Sequence, residues 1–141
     1  PARDEIRGPM PVVWDDQGQR SSALKPETAF RWFNGYGTRS DTNWTNEVTV
    51  VRLTHPVQWY PGLCASDVSC PALFVVSPDD EMVRSSPAVA RDAYERLAGA
   101  KEWIEIPGGH FGLLYYPSET FDKASSAQSR FLTNTLLAED E

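Results

Sequence analysis

Two short runs constrain the fold more than anything else in the chain. Ala72-Leu73-Phe74-Val75-Val76-Ser77 is apolar almost without interruption and follows a proline, as expected of a strand buried on both faces. Lys101 to Ile106, with the apolar stretch Trp103-Ile104-Glu105-Ile106, predicts a second strand. Between them Ser86 reads as an N-cap and Pro87 as the first helical residue. Val89, Ala93 and Leu97 form an inward stripe, and Gly99 stops the helix. After the second strand, Pro117 and Ser118 open a further helix in which Phe121, Ala124, Phe131 and Leu132 share a face. Strand, helix, strand, helix is the pattern of parallel pairing through a crossover.

Parallel strands end at the same edge of their sheet, where α/β folds keep their binding crevice. The first strand releases Pro78-Asp79-Asp80-Glu81 there, and the second releases Pro107-Gly108-Gly109-His110. Neighbouring loops therefore carry carboxylates and one of the chain's 2 histidines. The paired glycines permit backbone angles that a Cβ would resist, so the loop can swing the imidazole over the crevice. A histidine oriented by an acid forms two members of a nucleophile–His–acid triad. The plainer readings are a surface histidine shaped by turn chemistry, and acids that only solvate or favour the start of the next helix.

The stretches CPALFVVSPDDEMV and KEWIEIPGGHFGLLYYP, with the closing helix, resemble the C-terminal portion of the α/β-hydrolase superfamily. Within it they are similar to a bacterial branch of acetyl xylan esterase-like and dienelactone hydrolase-like proteins. The resemblance implies an acid three residues beyond the small residue ending the strand and three before a Val. Counting from Ser77 and from Val83, that residue is Asp80, with Asp79 the second choice, and His110 is the catalytic histidine. Acid before histidine is also that family's chain order. The expected fold class is α/β: the C-terminal part of an α/β-hydrolase fold, a short parallel sheet flanked by helices and preceded by a helical lid-like segment. Residues 1–69 would be that lid-like or connecting segment, and 70–141 the strand–helix–strand–helix portion carrying the acid and histidine loops. The resemblance is good over 70–137 and vague over 1–69.

The departure from the family pattern lies at the nucleophile. No serine in the sequence has glycines two residues to either side, so the G-x-S-x-G elbow is lacking, and with it the oxyanion-hole loop. Gly62-Leu63-Cys64-Ala65-Ser66 imitates the elbow, but Cys64 stands too close to the next strand to have an elbow's helix after it. The expectation is the acid-and-histidine half of a serine-type esterase, nearly inactive alone, with its nucleophile half absent. The alternative is a non-catalytic, truncated hydrolase-like module. Its open sheet edges would pair with a second copy or with the missing half, because open edges recruit strands.

In the first 69 residues Pro26 to Phe33 predicts a helix ending at Asn34-Gly35. Trp44, Val48, Val51 and His55 follow helical spacing, although the β-branched run Val48-Thr49-Val50-Val51 suits a strand as well. Trp32, Phe33, Trp44, Trp59 and Tyr60 are expected as lid and core packing.

Composition narrows the function classes. A formal charge of −7 argues against nucleic acid and anionic membranes, both of which favour basic patches. No apolar run approaches the roughly 20 residues that span a bilayer. Cys64 and Cys70 make no disulfide framework, so free thiols and a cytoplasmic location are expected. No histidines or cysteines stand at metal-ligand spacing, and no glycine-rich fingerprint follows a strand, so neither metal nor nucleotide cofactor is expected. The substrate implied by the resemblance is a small acyl compound.

Overall fold

The computed structural model describes residues 5–14, 22–39, 41–52, 60–82 and 85–137. His55, Trp59 and Val83, used in the sequence reading, lie outside them. The chain divides into two compact units, Pro1–Trp59 and Tyr60–Glu141.

The first unit pairs β1 (Glu5–Met10) with β2 (Val48–Arg52) in an antiparallel ladder that is irregular between Arg7 and Met10. The strand alternative therefore holds for the β-branched run, whose stiff side chains suit a pleated surface better than a helix, and the unit is not wholly helical. Helix α1 (Glu27–Gly37) buries Ala29 and runs past the expected stop at Asn34-Gly35. The Asn34 side chain donates back to the Phe30 carbonyl at 2.9 Å, and Trp32 and Tyr36 pack ring to ring at 5.1 Å. Contacts of this kind outweigh the roughly 1 kcal/mol cost of a helical glycine. Asn46 acts as a strand substitute, accepting from Val13 N–H at 3.0 Å and donating to its carbonyl at 2.9 Å.

In the second unit a 3-10 helix (Pro61–Asp67) precedes β3 (Ala72–Val76), α2 (Pro87–Arg96), β4 (Lys101–Glu105), α3 (Gly109–Gly112) and α4 (Glu119–Leu136). Strands β3 and β4 are parallel, with Ala72 opposite Lys101 and Val76 opposite Glu105. Side chains alternate across a strand, so this register sends Phe74 and Trp103 to one face and Val75 and Ile104 to the other. On the first face Phe74 stacks on Trp103 at 17° and Tyr94 of α2 meets both rings edge-on. The Arg91 guanidinium lies 3.7 Å from the Trp103 ring centre, a favourable cation–π placement. Helix α4 crosses the other face. It leaves one groove beside Leu73 and Val75 and another beside Ile104 and Ile106. Helices on both faces of a parallel pair make this unit α/β in class.

Three expectations about burial are corrected. Every residue of β3 is half-buried, not buried on both faces, because each strand of a two-stranded sheet has only one neighbour. Val89 is 68% exposed. It sits about 140° around the helix from Tyr94, which faces the sheet. Leu132 is 52% exposed, by the same angular offset from the buried Ala127. Ser118 stands at the start of α4 as expected and also caps it, accepting from Phe121 N–H at 3.0 Å, whereas Ser86, the expected cap of α2, makes no side-chain cap bond. Cys64 and Cys70 are free and exposed. No helix among the described residues is long and apolar enough to cross a membrane.

Phe74→Ala removes the ring that both Tyr94 and Trp103 pack against, and it should lower unfolding stability by about 2–3 kcal/mol. Val89→Ala should change it by less than about 0.5 kcal/mol. Urea denaturation followed by tryptophan fluorescence measures both.

Candidate functional site

The parallel ladder continues one step beyond β4, where Ile106 N–H donates to the Val76 carbonyl at 2.9 Å. The two loops therefore leave the sheet side by side. After β3, Asp80 N–H closes a turn onto the Ser77 carbonyl at 3.3 Å, with Pro78 and Asp79 at the corner. After β4, Gly108 (φ 157°) and Gly109 (φ 70°) take positive φ and lead into the first turn of α3. A Cβ on Gly108 would stand 2.7 Å from the Thr120 methyl, so hydrogen alone fits there. His110 thus lies in a short helical turn, not in an extended loop.

The sequence Asp79-Asp80-Glu81 meets the sequence Gly108-Gly109-His110, and each carboxylate has its own partner. Asp79 accepts from Gly108 N–H at 2.9 Å and Gly109 N–H at 3.2 Å, and from the hydroxyl of Ser77 at 2.7 Å. Glu81 accepts from His110 N–H at 2.8 Å. Asp80 Oδ2 lies 2.8 Å from His110 Nδ1. The Asp80 carboxylate is itself held by Ser85 Oγ at 2.6 Å and Met82 N–H at 2.9 Å.

Burial is the largest single influence on Asp80 and pushes its pKa up. Hydrogen bonds from Ser85, the His110 ring and Met82 N–H, with the charge of the ring, outweigh it and hold the carboxyl below the usual 3.8. For Asp79 the Ser77 hydroxyl acts most strongly, followed by the Gly108 and Gly109 amides, and together they lower it to about 2. Both groups are carboxylates at neutral pH.

With Asp80 ionised, the 2.8 Å contact places a proton on His110 Nδ1 as donor, which leaves Nε2 as the acceptor in the neutral ring. The ring is 39% exposed and the Asp80 side chain 13%. The arrangement is a base with its orienting acid, with the basic nitrogen directed away from that acid.

Of the residues singled out by sequence, Asp80 and His110 are brought into direct contact. Asp79, the second choice, holds the glycine turn. Cys64 lies on the 3-10 helix, whose chain passes directly to β3, the wrong order for a strand–nucleophile–helix elbow. Sequence reasoning missed Ser77, Ser85 and Glu81. Their roles carry no side-chain signal in the sequence, because Ser77 and Ser85 donate to carboxylates of their own loop and Glu81 accepts from a main-chain N–H across the edge. No protein-family model, curated protein or solved structure matches this chain.

The depressed pKa of Asp79 ties stability to pH. Its contribution is complete above the ordinary carboxylate range and is lost as pH falls through the folded-state value. Asp79→Asn should therefore lower the urea midpoint at pH 6. The gap from the parent chain should then close as pH is taken from about 4 to about 2.

Proposed function

We propose that this chain supplies the acid and histidine of a serine-type α/β-hydrolase acting on carboxylic esters or related acyl compounds, with the nucleophile reaching the site from outside these residues. One observation carries the reading: two parallel strands deliver His110 Nδ1 and Asp80 Oδ2 to 2.8 Å of each other at a shared sheet edge. In this scheme a serine oxygen attacks the acyl carbon while His110 Nε2 takes the serine proton. The protonated ring then gives that proton to the departing alkoxide. Water repeats the sequence on the acyl-enzyme and restores the serine. Asp80 holds the ring in the tautomer with Nε2 free and stabilises its cation. The half-buried β3 supports a nucleophile half docking alongside it, and two free thiols suit a reducing, cytoplasmic setting.

A second reading rests on the same unpaired edges. Here the chain has no catalytic role and associates with a copy of itself through β3 or β4, which are 5 residues each and apolar in part.

Alone, the chain should hydrolyse p-nitrophenyl acetate no faster than buffer and imidazole. Joined to any polypeptide encoded upstream of Pro1 that carries a nucleophile elbow, it should hydrolyse the ester. His110→Ala should then reduce kcat by about 10⁶-fold and Asp80→Asn by about 10⁴-fold. An upstream segment with no nucleophile elbow, together with dimeric elution of the chain on size exclusion, would favour the assembly reading. Turnover by the chain alone that disappears in His110→Ala would place the nucleophile within it.

A further inference from the structure

We propose that Asp79 is the positioning residue of this site: by binding the Gly108 and Gly109 amides it fixes the turn that aims the His110 ring at Asp80. The proposal rests on the reading of Asp80 and His110 as a catalytic pair and adds a residue that the pair requires.

A ring preceded by two glycines has little to hold it by itself. Glycine has the largest backbone freedom to lose, and both glycines here sit at positive φ. The imidazole is 39% exposed and meets edge to face, at 4.9 Å, the ring of Phe111, the next residue of the same turn, a contact that moves with the turn. Beyond its own bond to Asp80, its direction depends on hydrogen bonds to the backbone beneath it, of which Glu81 accepts the one from His110 N–H. Asp79 makes those bonds to both glycines, reaching Gly108 N–H with each oxygen (2.9 and 3.2 Å) and Gly109 N–H with Oδ1.

The clamp is anchored in the unit's interior. The Ser77 hydroxyl that donates to Asp79 belongs to a residue only 5% exposed, directly after β3. A continuous path therefore runs from the strand end through Ser77 and Asp79 to the glycine turn and the ring. Asp80 is held by a separate route through Ser85 and Met82. The two members of the pair are thus fixed independently from one acidic loop. An aspartate fits the task because its charge strengthens bonds to backbone amides.

The test reads the ring itself in the full chain, at about pH 8, by long-range nitrogen–proton NMR, with His55→Gln to assign the two histidines. The parent should carry the Nδ1–H tautomer at His110. Asp79→Asn should shift protons from Nδ1 toward Nε2. It should also speed amide exchange at Gly108 and Gly109 by about tenfold, the factor for one net hydrogen bond. Unfolding midpoints establish that each variant is folded. Ser77→Ala keeps the Asp79 charge but removes its anchor, and it should move the same signals in the same direction by a smaller amount. Asp80→Asn separates the two ideas. If it leaves the tautomer unchanged, the catalytic pairing falls. If it shifts the tautomer while Asp79→Asn and Ser77→Ala leave both ring and glycine signals as in the parent, the pairing stands and the role of Asp79 is overturned. Should Asp79→Asn fail to fold, an unchanged Ser77→Ala spectrum overturns it equally.

Discussion

Parallel pairing of β3 with β4 forces two stretches distant in sequence to finish at one edge. Register does the rest, because Val76 opposite Glu105 brings the turns after them level. In an antiparallel pair the acid and the histidine would leave from opposite ends, and no loop chemistry could join them. The aromatic cluster of Phe74, Tyr94 and Trp103 matters to the site for this reason. It keeps α2 on the sheet and so maintains the crossover that makes the strands parallel.

At the edge, three consecutive carboxylates do three different things. Asp79 binds backbone, Asp80 binds the ring and Glu81 binds the amide of the histidine. Adjacent like charges ordinarily repel, and hydrogen-bond donors aimed at each one relieve that cost. The lowered pKa values of Asp79 and Asp80 have this origin. The neighbouring loop contributes mainly main-chain N–H groups, so its side chains are free for other work, and the one that stands out is an imidazole.

Much of this unit was legible beforehand. Alternation and apolar runs marked β3 and β4, a proline after a serine marked the start of α2, and Pro117 with Ser118 marked the start of α4. The family resemblance, counted from Ser77 and Val83, implied Asp80, and the position at a strand end drew attention to His110. The Asp79 clamp was not legible, because its partners are backbone amides that carry no side-chain signature. Helix periodicity misjudged Val89 and Leu132, since it identifies a stripe but not the direction in which large neighbours such as Tyr94 turn it. The half-burial of β3 also escaped notice, because an apolar run reads the same whether or not neighbours are present to cover it. In the first unit, β-branching at Val48–Val51 competed with helical spacing, and pairing with β1 decided for the strand.

The close fit between Gly108 and Thr120 has a mechanical meaning. A Cβ added at Gly108 would stand 2.7 Å from that methyl, so the first turn of α4 leaves room for glycine beside the histidine turn and for little more. A side chain at Gly108 would have to displace Thr120 or abandon the glycine's φ, so this one position ties the histidine turn to the start of α4.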